Sequence, residues 1–349
     1  MRSLLRVDAA AVRANLERLR AAHGGDVWAV VKADGYGHGA ADVGRAALQA
    51  GAIGLGVATL PEAHALRTAL PGARIMILSP LAPGEEPAAA GFDVICSTPG
   101  ATERLAAVPD VRIHVKADTG MGRWGLTDDE ALAAAAAAGA KLAGLCSHLA
   151  TSEDRDTTFA EEQAARFRAL ADRFPPCSRH LANSGGALYL ASARFDAARC
   201  GIALYGISPR DEDPTRDGLW PVLTFTSEVR ALRTLRPGES SGYGRRVLAD
   251  RPLRLALVPV GYADGYPRPA AGKACVMIGD RRCTVGAVAM DQLAAILPDE
   301  LAVAPGDEVT LVGRGCGIEA LARAAGTIGY EVACGLRHRP DRGDRVVAV

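Results

Sequence analysis

Val27-Trp28-Ala29-Val30-Val31-Lys32-Ala33-Asp34-Gly35-Tyr36-Gly37-His38-Gly39 begins as a short apolar, β-branched run and ends as a glycine-rich loop, with a lysine at the junction. From this point similar runs alternate with Ala-, Leu- and Arg-rich stretches of helical period. That alternation is the pattern of a parallel sheet built from βα units. Strands are expected near 27–33, 53–59, 74–79, 93–97, 111–116, 142–147, 179–182 and 197–200. Amphipathic stretches such as 128–139 and 157–174 lie between them, so closure into an α/β fold, a (β/α)8 TIM-like barrel, is the economical topology. The link at 80–91 is the least helical of the set.

Beyond Gly218 the pattern changes to long alternating segments, 222–232 and 253–260, punctuated by turn signals at Pro237-Gly238, Gly279-Asp280 and Pro305-Gly306. Only 318–335 reads as helical there. The expected organisation is therefore a barrel over 9–218 followed by a mainly β C-terminal domain over 219–349, which residues 1–8 can join. With 49% hydrophobic and 23% charged residues among 349, the chain has the composition of a globular protein with a large core. Forty basic residues offset forty acidic ones, so no strong field draws in nucleic acid or an anionic membrane, and a small-molecule ligand is expected. Eight cysteines show no Cys-x-x-Cys pair, which argues for free thiols and no metal site. Met1 to Val7 lacks the features of a secretion signal and no apolar run approaches a membrane span, so a cytoplasmic location is expected.

Lys32 sits where a barrel strand opens onto the active end. A partly desolvated lysine there can lose its charge and form an imine with an aldehyde; a lysine that only extends its stem along the rim fits the position equally well. The seventh and eighth strands end in Ala182-Asn183-Ser184-Gly185-Gly186 and Arg199-Cys200-Gly201-Ile202-Ala203. Loops after these two strands hold a phosphate in many barrels, with the Ser184 hydroxyl and the backbone N–H groups of Gly201 and Ile202 as donors. Asn183-Ser184 also reads as a plain helix cap. A lysine at one strand end and a phosphate cradle at two others are what a phosphorylated aldehyde cofactor needs.

These segments, taken in order, resemble the alanine racemase family of fold-type III pyridoxal-phosphate-dependent enzymes across nearly the whole chain. The resemblance implies that Lys32 carries pyridoxal 5'-phosphate, with Tyr36, Ser184, Gly201 and Ile202 on its phosphate and His148 beside its ring. It places Arg199 opposite the ring nitrogen, where an arginine that keeps its proton leaves that nitrogen unprotonated and weakens the electron sink. Without the family, Arg199 reads as a salt-bridged barrel arginine and His148 as a structural histidine. Lys116-Ala117-Asp118-Thr119-Gly120-Met121-Gly122-Arg123 matches the segment whose arginine, here Arg123, binds the cofactor's phenolic oxygen and the substrate carboxylate. Lys116 falls where many members carry a carbamylated lysine; an unmodified lysine or a bound anion are the alternatives.

Ser241-Gly242-Tyr243-Gly244 matches the segment bearing the second catalytic base, Tyr243, which would otherwise read as an interface or core tyrosine. A phenol in that role needs a neighbouring positive charge. Gly261 to Arg268 resembles the entrance corridor, and Val288-Ala289-Met290-Asp291-Gln292 the wall around the substrate carboxylate, with Met290 and Asp291 as substrate-binding residues. Three departures stand out: Ala289 for a common cysteine, Ala287 for an arginine of several relatives, and Arg337-His338-Arg339-Pro340 without the phosphate-binding tyrosine of some members, where His338 is the substitute. The resemblance implies interconversion of L- and D-alanine by two bases, D-alanine supply for peptidoglycan, and a homodimer with shared active sites. The rival readings are a racemase of serine or a basic amino acid, a decarboxylase of the same fold class, and a non-catalytic pyridoxal-phosphate carrier.

Overall fold

A computed structural model describes residues 2–336 and 338–348. After strand β1 (Leu4–Asp8) and the helix Ala9–His23 come eight strands: β2 (Asp26–Val30), β3 (Gly54–Val57), β4 (Ile75–Ile77), β5 (Asp93–Cys96), β6 (Arg112–Lys116), β7 (Leu142–Cys146), β8 (Ser178–His180) and β9 (Ala197–Cys200). They pair in parallel in the order β8-β7-β6-β5-β4-β3-β2-β9. Two backbone hydrogen bonds join the ends of that order: Asp196 N–H donates to Arg179 O at 3.0 Å and Arg199 N–H to Ala182 O at 2.8 Å. The expected (β/α)8 barrel is present, and each of the eight anticipated runs contains or overlaps one of its strands.

Local chemistry explains the crossovers. Thr59 and Thr127 each cap a helix, Leu60–Ala69 and Asp128–Ala138, with Glu62 and Glu130 completing reciprocal capping boxes. The weakly helical link forms only the short 3-10 turn Glu86–Ala89. Inside the barrel, Trp28, Met76, Ile95, Cys146 and Ala197 form an apolar cluster, and the edge of Trp28 meets the ring of His114 at 6.2 Å between centroids. Gly144 is obligatory beside them: a Cβ there would lie 2.3 Å from His114 Nδ1.

The C-terminal part is mainly β. It adds β10 (Leu223–Glu228), β11 (Ala231–Leu235), β12 (Ser240–Ser241), β13 (Val247–Leu248), β14 (Leu253–Val258), β15 (Cys275–Ile278), β16 (Arg281–Val288), β17 (Leu293–Ile296), β18 (Glu308–Val312) and β19 (Asp344–Ala348). Nine strands form one sheet, β11-β14-β17-β16-β15-β18-β10-β1-β19, in which β1 runs antiparallel to β10 and parallel to β19. The helical stretch anticipated over 318–335 is two helices, Ile318–Ala325 and Gly329–Gly335, because Gly326 takes a left-handed conformation (φ 76°) that ends the first.

By contact the chain divides into two units, one of Val12–Gly35 and Ala40–Leu204, the other of Met1–Ala11, Tyr36–Gly39 and Tyr205–Val349. All eight cysteines are free, five of them buried. Among the described residues no helix is long and apolar enough to cross a membrane.

Candidate functional site

The chain leaves β2 in an unusual way. Ala33 (φ 55°), Asp34 (51°), Gly35 (62°) and Tyr36 (52°) are all left-handed, a conformation that only glycine adopts without cost. Such a run persists where its surroundings over-determine it. Here Gly35 N–H donates to Val31 O at 2.8 Å, Ala40 N–H to Asp34 Oδ1 at 3.0 Å, and Ala33 N–H to Glu62 Oε1 at 2.7 Å. The other oxygen of Glu62 accepts from Ala58 N–H (2.8 Å) and Thr59 N–H (3.1 Å). One carboxylate after β3 thus fixes the turn that carries Lys32.

Arg199, buried on β9, is held by acceptors on two neighbouring strand ends. Its Nη1 donates to His180 Nδ1 (2.7 Å) and His180 O, and its Nη2 to Ser147 O, with Leu181 O and His148 Nδ1 each at 3.4 Å. Burial lowers the pKa of this guanidinium. His148, at the end of β7, feels burial first and then the charges of Arg199, Lys116, Arg123 and Lys32, which together hold its pKa well below the usual imidazole value. Lys116, buried at the end of β6, is also lowered, by burial and by Arg199 and Arg123, against opposing effects of Cys146 and Asp118.

Arg123 is exposed on a loop that Asp118 folds. Asp118 Oδ1 accepts N–H groups from Gly120 (2.9 Å), Met121 (2.8 Å) and Gly122 (3.2 Å), and Leu126 N–H returns to Lys116 O at 2.9 Å. Burial raises the Asp118 carboxyl, and these N–H donors more than offset it, so its pKa is lowered. At the last two strand ends, Asn183 caps the helix Ser184–Tyr189 by accepting from Gly186 N–H at 2.9 Å, which leaves Ser184 out of the cap. Ser184 Oγ instead gathers the N–H groups of Gly201 (3.1 Å) and Ala203 (3.3 Å), with buried Ile202 between them.

The remaining sequence-selected residues belong to the other unit. Tyr36 is buried, its ring 4.8 Å from that of Tyr205 and 6.2 Å from that of Tyr330. Tyr243 is 79% exposed on a turn tethered by the β12–β13 pairing, and Gly242 (φ 81°) turns the chain into it. Tyr243, Gly242, Ala287, Ala289 and Gln292 line one small cavity. Met290 is half exposed; its carbonyl accepts from Ala263 N–H (3.0 Å), and Ala289 O accepts from Tyr262 N–H (3.1 Å). The Asp291 carboxylate pairs with Arg342 Nη2 at 2.6 Å, and Arg342 Nε also holds buried Asp264 at 2.6 Å. His338 Nε2 lies 3.1 Å from Gly343 O; Arg337 is outside the described residues.

Sequence reading missed Glu62, Asp118, and the buried pair His114 and His180. The Thr59-x-x-Glu62 capping box was a usable signal for the first. His114 alternates with the apolar residues of β6 on the same side as Lys116, but nothing local marks it as interior rather than as an exposed polar position.

The barrel's strand ends present a primary amine, a cradle of hydroxyl and N–H donors, and several cations around a neutral imidazole. That donor set suits an aldehyde with an anionic arm, so pyridoxal phosphate fits the residues present, and fold and site define a lysine-based barrel enzyme. Comparison narrows the class. The family described as alanine racemase, N-terminal domain, matches residues 7–209, and that described as alanine racemase, C-terminal domain, matches 222–343. An alanine racemase of Symbiobacterium thermophilum is 39% identical over 96% of this chain and 95% of its own. Among solved structures, the biosynthetic alanine racemase of Pseudomonas aeruginosa superposes with a TM-score of 0.92 at 36% identity, covering 100% of both chains. That of Bartonella henselae, described with covalently bound pyridoxal phosphate, gives 0.92 at 28% identity with the same coverage. The chain belongs to the alanine racemase family, whose members are pyridoxal-phosphate-dependent isomerases.

Proposed function

We propose that this chain interconverts L-alanine and D-alanine, with Lys32 and Tyr243 moving the proton on opposite faces of the substrate Cα. The observation that carries this reading is the placing of Lys32, Lys116, His148, Ser184 and Arg199 together at the ends of the barrel strands, with Arg199 Nη2 3.4 Å from His148 Nδ1. When bound, pyridoxal phosphate supplies the stabilisation of negative charge at Cα. Lys32 would hold it; Ser184, Gly201, Ile202 and Tyr36 would bind its phosphate; His148 would stand beside its ring; and Arg199 would face its ring nitrogen as a donor. Arg123 and the Met290 N–H would bind the substrate carboxylate, with Asp291 in the same wall but its own carboxylate turned to Arg342, and His338 would take the place of the absent tyrosine. Racemisation needs one group to remove a proton and another to return it from the opposite side, which is why a lysine and a tyrosine suffice. The domains are a cofactor-binding barrel over 9–218 and a β domain over 219–349, joined by 1–8, that supplies Tyr243. Two copies pair so that each site draws on both chains. The setting is the cytoplasm and the product D-alanine for peptidoglycan.

A chirality-resolved assay of the purified protein on alanine, serine, lysine and arginine, with and without added cofactor, tests the reading. Alanine is expected to racemise in both directions in a cofactor-dependent manner and to exceed the other three. Decarboxylation, or preference for a larger substrate, sinks it.

The environment of Lys116 carries a second expectation. A lowered pKa leaves more of the amine neutral, and a neutral amine adds to CO2, losing one proton to solvent and leaving a carbamate. That carbamate neutralises part of the charge between Lys116 and Arg123 and orients the guanidinium by a charge-assisted contact. NMR of the protein equilibrated with isotope-labelled CO2 should show one carbamate resonance, absent in Lys116→Arg. A spectrum identical for the two proteins would mean that an unmodified lysine or a bound anion serves instead.

A further inference from the structure

Arg199 is the end of a chain of buried side chains that crosses the barrel. Its Nη1–H donates to His180 Nδ1 at 2.7 Å, His180 Nε2 is 2.8 Å from His114 Nδ1, and His114 Nε2 is 2.9 Å from Asp93 Oδ1. Asp93 lies at the start of β5, fully buried, and its carboxylate also takes Arg74 and Arg112, whose side chains reach solvent.

The direction of the chain is determined. Arginine has donors only, so His180 Nδ1 accepts and its proton sits on Nε2. That proton points at His114 Nδ1, which puts the His114 proton on Nε2, facing Asp93. Both rings are neutral in this arrangement, and burial lowers the pKa of each. Burial raises the Asp93 carboxyl, but hydrogen bonds from His114, Arg74 and Arg112 overcome that and hold it far below the usual range, so it is an anion. No carboxylate of a described residue is within ion-pair distance of Arg199; the nearest negative charge along its bonded chain is Asp93, two imidazoles away.

We propose that Asp93, His114 and His180 are positioning residues that keep Arg199 a cationic donor toward the cofactor's ring nitrogen and thereby set the ratio of racemisation to transamination. This rests on the reading of Arg199 given above. A negative charge behind the guanidinium and none in front favours the proton's staying on Arg199 rather than crossing to the ring, and polarised neutral imidazoles transmit that preference. His180 also fixes where Nη1 points. Without the relay the ring nitrogen gains a proton more readily and becomes a stronger electron sink. More alanine then leaves as pyruvate, its amino group passing to the cofactor, whose aldehyde becomes a primary amine.

The test uses holoenzyme and two readouts: pyruvate formed per racemisation turnover, and nitrogen NMR of the isotope-labelled ring in resting enzyme without substrate. Arg199→Glu is the reference and should move the nitrogen signal to the protonated position and raise pyruvate. Asp93→Asn, His114→Gln and His180→Gln should move both in the same direction, pyruvate per turnover by about tenfold, the equivalent of one pKa unit at the ring. Three variants along the chain keep the test alive if one misfolds. Arg112→Gln, which weakens the same carboxylate's support from outside the chain, should lower thermal stability and leave both readouts alone. The relay is overturned if Arg199→Glu shifts both signals while folded, cofactor-loaded Asp93→Asn and His180→Gln shift neither. If Arg199→Glu itself shifts neither, the reading of Arg199 falls and the relay with it.

Discussion

Lys32→Ala is expected to give a folded protein that no longer fixes pyridoxal phosphate covalently and whose racemase rate falls by at least about 10⁴-fold, the upper range for loss of one acid–base group. Folding should survive because the side chain is only partly buried and the turn that presents it is held by Glu62, Asp34 and main-chain bonds. Absorbance spectroscopy reads the loss of the bound-aldehyde band, and borohydride treatment followed by peptide mapping reads the attachment point. Capture of the cofactor at wild-type yield on another residue, with Lys116 the first to examine, would show that Lys32 is the wrong lysine.

Equal amounts of Lys32→Ala and Tyr243→Phe, each nearly inactive alone, should recover roughly a quarter of wild-type activity after denaturation and refolding together. The figure follows from two-fold pairing: random exchange makes half the dimers mixed, and each mixed dimer has one site with both groups intact. Tyr243 is 79% exposed on a tethered turn, a position from which a phenol can meet a partner chain. A mass tag on one variant establishes exchange. Mixed dimers without recovered activity would leave Tyr243 acting within its own chain or uninvolved.

Much of the barrel was legible because its strands are short and apolar and its crossovers helical, so each βα unit announces itself locally. The ends of those strands were less so: 27–33 reads as continuous strand, yet β2 stops at Val30, because the turn after it depends on a carboxylate contributed from Glu62. The split at Gly326 was readable from the glycine alone. Lys32 stands out by its place at a strand end, whereas Arg123, Arg199 and Tyr243 stand out only through the order of their motifs. The relay behind Arg199 had no signature at all, since Asp93, His114 and His180 are single polar residues on three separate strands that meet only when those strands pair, and Arg199 joins them only when the barrel closes.

Strand β1 pairs with β10 on one side and β19 on the other. The barrel unit needs little beyond residue 204, so it can begin to fold while the rest of the chain is still being synthesised. The β sheet has no such freedom: a strand near residue 4 must wait, unpaired on both edges, for partners near 225 and then 345. Contacts so far apart in the chain close slowly, and the waiting strand is the stretch most open to wrong pairing. Assembly of this protein is therefore ordered in time, with its earliest strand among the last to find its place.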